Sequence, residues 1–196
     1  MREAISTGQW FTSGDGHEWW FDSGSIALDF AYTGGLGDNP AWERLAAASD
    51  LTAWLGEHFS GLDAEATDGD VRDGLMLRAA IASAATAASR SADVAPTDID
   101  IINLFAATPD IPPSLGGGTR QAGRSRARTG QLLSTIARQA VDLFEPEQSD
   151  RIRLCAADDC GLIFFDESRS NNRRWCSMQR CGNRAKVRAH RARSVA

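Results

Sequence analysis

The sequence predicts a mainly α-helical domain with a few short strands over residues 1–148, followed by a small β-hairpin and helix over residues 149–196. Apolar residues recur at helical spacing in several segments between residues 39 and 146. All four cysteines, in contrast, lie after residue 154. The length of 196 residues suits one medium domain with a small appendage.

The charge of the chain changes sign close to residue 150. Residues 1–150 carry 10 Arg and 22 Asp+Glu, a net charge of -12. Residues 151–196 carry 11 Lys+Arg and 4 Asp+Glu, a net charge of +7. Such a basic block beside an acidic one predicts an anionic partner for the tail, and nucleic acid is the first candidate.

The sequence favours a cytoplasmic protein. No window approaches the roughly 18 consecutive apolar residues of a membrane span, and the first 24 residues lack the apolar stretch of a secretory signal. In a reducing compartment, clustered cysteines indicate metal binding and not disulfides.

The N-terminal segment contains five aromatic residues among Gly and Ser, which predicts turns or short strands that cover a core. They are Trp10, Phe11, Trp19, Trp20 and Phe21. In the following "SIALDFAYTGG", apolar residues alternate as in a strand, but the same residues allow a short helix with Ser25 as its cap. Both alternatives stay open.

Four helices follow by periodicity. The first is capped by Asp50 and ends at Gly61, with Leu51, Trp54, Leu55 and Phe59 on one face. The others are residues 70–91, "TDIDIINLFAA" capped by Thr97 or Asp98, and "GQLLSTIARQAVDLFEP", which Pro146 closes. The span 108–130, rich in Pro and Gly, reads as a loop or irregular hairpin. The domain boundary then falls near residues 145–151.

The cysteine spacing predicts one metal site. Cys155 and Cys160 are separated by four residues, as are Cys176 and Cys181, and fifteen residues join the pairs. Two such pairs can converge on one tetrahedral Zn²⁺, and four thiolates leave no open position, so the metal would be structural. "GLIFFD" is β-prone, and we expect "RRWCS" to pair with it in a treble-clef-like or ribbon-like hairpin. The three histidines, His17, His58 and His190, show no ligand spacing.

A helix from about residue 176 to residue 193 would carry a stripe of arginines at spacings of four, four and three, namely Arg180, Arg184, Arg188 and Arg191. Like charges so placed repel one another, which makes most sense if the stripe faces an anion. Asn and Arg can also bond adenine and guanine edges in the major groove. The alternative is an ordinary solvated face, with one or two arginines paired with the acidic N-terminal domain. The candidate DNA contacts are Arg173, Arg174, Arg180, Asn183, Arg184, Lys186, Arg188, His190 and Arg191.

The residues "CAADDCGLIFFDESRSNNRRWCSMQRCGNRAKVRAHRAR" resemble the CGNR zinc finger, named for the tetrapeptide 181–184. The preceding "ALDFAYT" and "DLTAWL", with the Ala-rich helices, resemble the ABATE domain that commonly precedes this finger. The resemblance covers nearly the whole chain. It implies one structural zinc at the four cysteines and a stress-response transcription regulator of mostly bacterial distribution. In this chain Tyr32 stands where the family's usual "LDFVNT"-like motif has Asn.

Three functions compete. The first is a DNA-binding regulator whose N-terminal domain senses a small molecule or dimerises. The second is a protein-interaction or RNA-binding adaptor, for which the tail offers only Phe164, Phe165 and Trp175 as stacking residues. The third and weakest is an enzyme using N-terminal carboxylates such as Asp29, Asp38 and Asp50, which lack partners at recognisable spacing. "GGGTRQAG" lacks the Lys-Ser/Thr ending of a P-loop. We expect no enzyme activity.

Overall fold

The structure is a computed structural model that describes residues 5–12, 16–37, 40–59, 61–62, 65–111 and 127–194. The glycine-rich "GGGTRQAG" and Asp38 lie outside the described residues. Seven α-helices are found in the described part of the chain. They are α1 Ile26–Ala31, α2 Ala48–His58, α3 Asp68–Ala88, α4 Pro96–Ala106, α5 Thr129–Phe144, α6 Pro146–Ser149 and α7 Asn183–Ser194.

The described strands form two separate antiparallel hairpins, one at each end of the chain. Strands β1 (Gln9–Thr12) and β2 (Glu18–Phe21) pair near the N-terminus, and β3 (Ile152–Leu154) and β4 (Ile163–Phe165) pair in the cysteine-rich module. The aromatic leader therefore forms strands, as predicted. Phe11, Trp19 and Phe21 point into the core, whereas Trp10 and Trp20 are largely exposed.

The segment that the sequence left open between strand and helix is the helix α1. All six of its residues are buried, because α3 and α5 pack against it. A short helix that is buried on every side has no solvent-facing polar stripe, so its sequence gives no clean periodicity. The N-terminal core is built around this helix. Its largest fully buried side chains include Trp54, Phe30, Leu77 and Leu132.

Two predicted helix starts were wrong. Asp50 is the third residue of α2, and its carboxylate accepts the backbone N–H groups of Ala46 and Ala47 at 3.0 and 2.8 Å. Helix α4 begins at Pro96, upstream of the predicted caps Thr97 and Asp98. Proline suits the first helical position because its missing N–H would have no partner there. The predicted helix 70–91 runs from 68 to 88, with Thr67 as its cap.

The buried carboxyl of Asp29 joins the N-terminal hairpin to α1. It accepts Gly8 N at 2.7 Å, and its second oxygen lies 2.7 Å from Ser23 Oγ. Ser23 Oγ also lies 2.9 Å from Ser25 O, and its one proton cannot be donated to both oxygens. A proton on Asp29 would satisfy both acceptors. Burial, partly offset by these hydrogen bonds, raises the pKa of Asp29 to about 7.

A pH dependence follows from Asp29. The pKa of Asp29 in the folded chain lies above the unfolded value of about 3.9. Its contribution to the free energy of unfolding is therefore fully present below about pH 4 and is lost as pH rises through about 7. We expect up to ~4 kcal/mol of unfolding free energy to be lost over that window. Asp29→Asn should flatten this part of the profile in urea titrations at several pH values. An unchanged slope between pH 4 and 7 would contradict it.

Candidate metal centre and basic helix

The cysteine-rich module starts where α6 ends, and the boundary that we predict between residues 148 and 149 falls inside this four-residue helix. The hairpin differs from the prediction, because β4 pairs with β3, which precedes the first cysteine. "RRWCS" forms no strand. Asp166 accepts the N–H groups of Ser168 and Arg173, and this turns the chain away from β4. The first cysteine pair therefore lies in the turn of the hairpin.

The four cysteine sulfurs converge. Their Sγ atoms all lie within 4.8 Å of one another. Cys176 Sγ is 3.7 Å from Cys160 Sγ and 3.5 Å from Cys181 Sγ. A tetrahedral zinc with Zn–S bonds of about 2.3 Å requires sulfurs about 3.8 Å apart. The arrangement fits one zinc ion.

The chemistry of the thiols supports the same conclusion. The hydrogen bond to Cys155, followed by that to Cys160 and by burial, raises the pKa of Cys176 well above its ordinary value. Four thiolates cannot ionise together at such short distances unless a cation lies among them. The metal-competent group found among the described residues contains these four cysteines and no histidine. Zinc held by four thiolates has no open position, so it stabilises the fold.

The second cysteine pair leads into the last helix through one π-helical turn, Met178–Gly182, and α7 follows directly. This helix carries five cations and no acidic residue; they are Arg184, Lys186, Arg188, Arg191 and Arg193. Helix α7 starts at Asn183, whereas the sequence predicts a helix from about residue 176. Gly182 is packed tightly, since a Cβ there would meet Met178 Sδ at 2.7 Å.

Three arginines of the predicted stripe make contacts within the chain. The guanidinium of Arg180 lies 3.6 Å above the ring of Trp19. Arg184 and Arg188 both bind Asp159, at 3.1 and 3.0 Å. These three arginines thus face the hairpin turn between the first two cysteines and the ring of Trp19.

The opposite face of α7 is exposed to solvent. At 3.6 residues per turn it carries Asn183, Lys186, His190 and Arg193. Of these, Arg193 was not among the predicted contacts, although its spacing from Lys186 could have indicated it. Arg191 is also exposed. The sequence pattern could show that α7 is basic, but not which face is turned outward.

Comparison with known families follows this division of the chain. Residues 151–194 match the model described as CGNR zinc finger. Residues 24–146, more than half of the chain, match ABATE, described as "Putative stress-induced transcription regulator". The chain belongs to the ABATE family. Its C-terminal module is a CGNR zinc finger whose four cysteines are positioned for one structural zinc. No protein of curated function matches the chain significantly.

The CGNR finger docks on the ABATE domain through Tyr32, the residue that departs from the family motif. Its buried hydroxyl accepts Ile163 N at 2.6 Å and donates to Ile163 O at 3.0 Å. Burial raises the pKa of Tyr32 well above its ordinary value, so the hydroxyl keeps its proton. Phe165 N also donates to Ser23 O at 2.7 Å. Tyr32 therefore joins the two parts of the chain.

Arg173 belongs to this interdomain contact, although the sequence predicts a DNA role for it. Its guanidinium lies 4.3 Å above the ring of Phe164 and donates to Asp22 O at 3.1 Å and Trp175 O at 3.1 Å. Arg174 is exposed, and its guanidinium lies 5.2 Å from the ring of Trp175. The DNA contacts named from the sequence stay predictions. Of the neighbouring pair, Arg173 is less accessible than Arg174.

The other residues of the ABATE domain that the sequence analysis singled out pack in or against its core. His58 Nδ1 lies 2.9 Å from Ser6 O, its ring packs on Trp54, and burial lowers its pKa. Trp19 and Tyr32 are core residues in edge or stacked contact with Phe11. Asp29 anchors the leader, as described above. Across the residues that the structure describes, no helix is long and apolar enough to span a bilayer.

Proposed function

We propose that the chain is a DNA-binding transcription regulator whose CGNR finger presents α7 to duplex DNA. The observation that carries the proposal is the exposed outer face of α7, where Lys186 and Arg193 flank His190. The major groove is wide enough to admit one helix. Lys and Arg on that helix would bind phosphates, and Asn183 would face base edges at its start.

The arginines on the inner face support the proposal in a second way. Arg188 binds Asp159 at the surface, with 58% of its side chain exposed. Such exposed pairs contribute only about 0–1 kcal/mol. Arg188 can therefore exchange Asp159 for a phosphate at small cost. Arg191 needs no such exchange in this proposal, because it lies at the exposed edge of the helix.

The aromatic residues of the finger favour duplex DNA over a single-stranded partner. Phe164 is fully buried, and Phe165 and Trp175 pack against the core. Binding of single strands usually depends on exposed aromatic side chains on which bases stack. An RNA-binding adaptor is therefore the weaker proposal, and a protein-docking role would appear as failure to bind either nucleic acid.

For the ABATE domain we propose a sensing or dimerising role in the cytoplasm, without catalysis. The contacts of Tyr32, Arg173 and Arg180 join this domain to the finger. A ligand that shifts the hairpin β1–β2 would move Trp19 and thereby Arg180. Dimerisation would help a single finger, since one helix reads only a few base pairs.

The proposal predicts a steep salt dependence. Affinity of the zinc-loaded chain for duplex DNA, measured by fluorescence anisotropy, should fall linearly with salt on logarithmic axes. The double variant Lys186→Ala/Arg193→Ala should weaken binding and reduce the slope by about 2. The matched control Arg72→Ala/Arg90→Ala removes two exposed cations from the ABATE domain and should leave the slope unchanged. Equal slopes for both variants, or no binding at low salt, would refute the proposal.

A further inference from the structure

Arg184, the last residue of the CGNR tetrapeptide, contacts the metal centre. Its Nη2 lies 3.2 Å from Cys181 Sγ, and its Nη1 lies 3.1 Å from Asp159 Oδ2. Cys181 is fully buried, and Nε of Arg184 is also shielded from solvent. The guanidinium thus spans a metal-ligating sulfur and a carboxylate of the hairpin turn.

We infer that Arg184 is a positioning residue of the zinc site, which donates to the Cys181 thiolate and offsets the negative charge of the centre. Zinc with four thiolates carries a net charge of about -2. Burying that charge is costly unless cations or N–H donors face the sulfurs. The backbone supplies such a donor at Cys155, which accepts Cys176 N at 3.4 Å. At Cys181 the guanidinium of Arg184 is the donor.

Asp159 completes the arrangement. It lies between the first two cysteines and holds Arg184 and Arg188 together. A carboxylate that binds Nη1 fixes the guanidinium plane, so that Nη2 is directed at the sulfur. The same carboxylate ties the start of α7 to the hairpin turn. Arg184 therefore serves the metal first, and the proposal does not depend on whether the chain binds DNA.

Arg188 provides a matched control for this inference. It shares Asp159 with Arg184 at nearly the same distance, but within the described part of the chain its side chain bonds this carboxylate and no cysteine sulfur. Replacing either arginine removes one cation and one ion pair from α7. Only the Arg184 substitution also removes a donor to sulfur.

The test uses the full chain loaded with Zn²⁺ or with Co²⁺. For Arg184→Ala we expect zinc transfer to a colorimetric chelator to become about 10- to 100-fold faster, as for other residues that support metal ligands. The sulfur-to-cobalt charge-transfer band should shift, because the Cys181 thiolate loses its donor. Arg188→Ala should match the unaltered chain in both measurements. Arg184→Lys keeps the charge but cannot bridge both partners, and should give an intermediate rate.

Two results would overturn the inference. Equal acceleration in Arg184→Ala and Arg188→Ala, with an unshifted cobalt spectrum, would mean that the ion pair with Asp159 is responsible. Unchanged release in all three variants would mean that the sulfur contact contributes nothing. If Arg184→Ala fails to fold, Arg184→Lys against Arg188→Ala still decides, since equal rates and spectra there contradict the proposal. Failure of DNA binding would leave these measurements unaffected.

Discussion

Removal of zinc is expected to unfold the CGNR finger while the ABATE helices stay folded. The strands β3 and β4 are three residues each, and the finger's buried apolar side chains are few: Ile152, Leu162, Ile163 and Phe164. Metal binding by modules of this kind supplies on the order of 10–16 kcal/mol. So small a core cannot replace that contribution.

Hydrogen exchange followed by mass spectrometry would measure this effect. After chelation, amides of residues 152–194 should exchange at rates near those of an unfolded chain, whereas α3 and α5 should stay protected. Readdition of zinc, as the control, should restore protection. Persistent protection of β3 and β4 in protein shown to be free of metal would contradict the structural role of zinc.

The second large effect is expected from Tyr32→Phe, which removes one oxygen atom from the contact between the two domains. The substitution leaves both Ile163 N and Ile163 O without the partner they have in the structure. An unsatisfied buried polar group costs about 1–3 kcal/mol. We therefore expect the free energy of unfolding to fall by about 2–6 kcal/mol.

Thr33→Val is the matched control for Tyr32→Phe. Thr33 is also buried, but its hydroxyl donates to Phe30 O within the ABATE domain. Both variants should lose stability in urea titrations, whereas only Tyr32→Phe should speed hydrogen exchange at Ile163. Unchanged exchange at Ile163 in Tyr32→Phe would show that this hydroxyl does not join the domains.

The sequence predicts those parts of the structure that have strong local patterns. Four cysteines in two equally spaced pairs identify the metal ligands, because two thiolate pairs joined by a short connector are typical of structural zinc modules. The helix α5 has a clear apolar face, and Pro146 marks its end. The pairing of β3 with β4 was not predictable, because strands of three residues carry almost no periodicity.

Contacts between residues far apart in the chain explain why the partners of the arginine stripe and of Tyr32 were not predicted. An arginine stripe has the same sequence whether it faces solvent, Asp159 or Trp19, and the pairing of Arg180 with Trp19 joins residues far apart in the chain. Tyr32 stood out as a departure from the family motif. Its partner Ile163 lies 131 residues away, and no local pattern could identify it. The sequence shows that α7 is basic, and the fold shows which face of α7 is exposed.

The central claim, that the finger reads duplex DNA through the outer face of α7, is tested most directly by selection from a random duplex library. The zinc-loaded full chain should enrich a short common sequence over several rounds. Lys186→Ala/Arg193→Ala should lose that enrichment, and Arg72→Ala/Arg90→Ala should keep it. Recovery of unenriched DNA with the unaltered, zinc-loaded chain would contradict the claim.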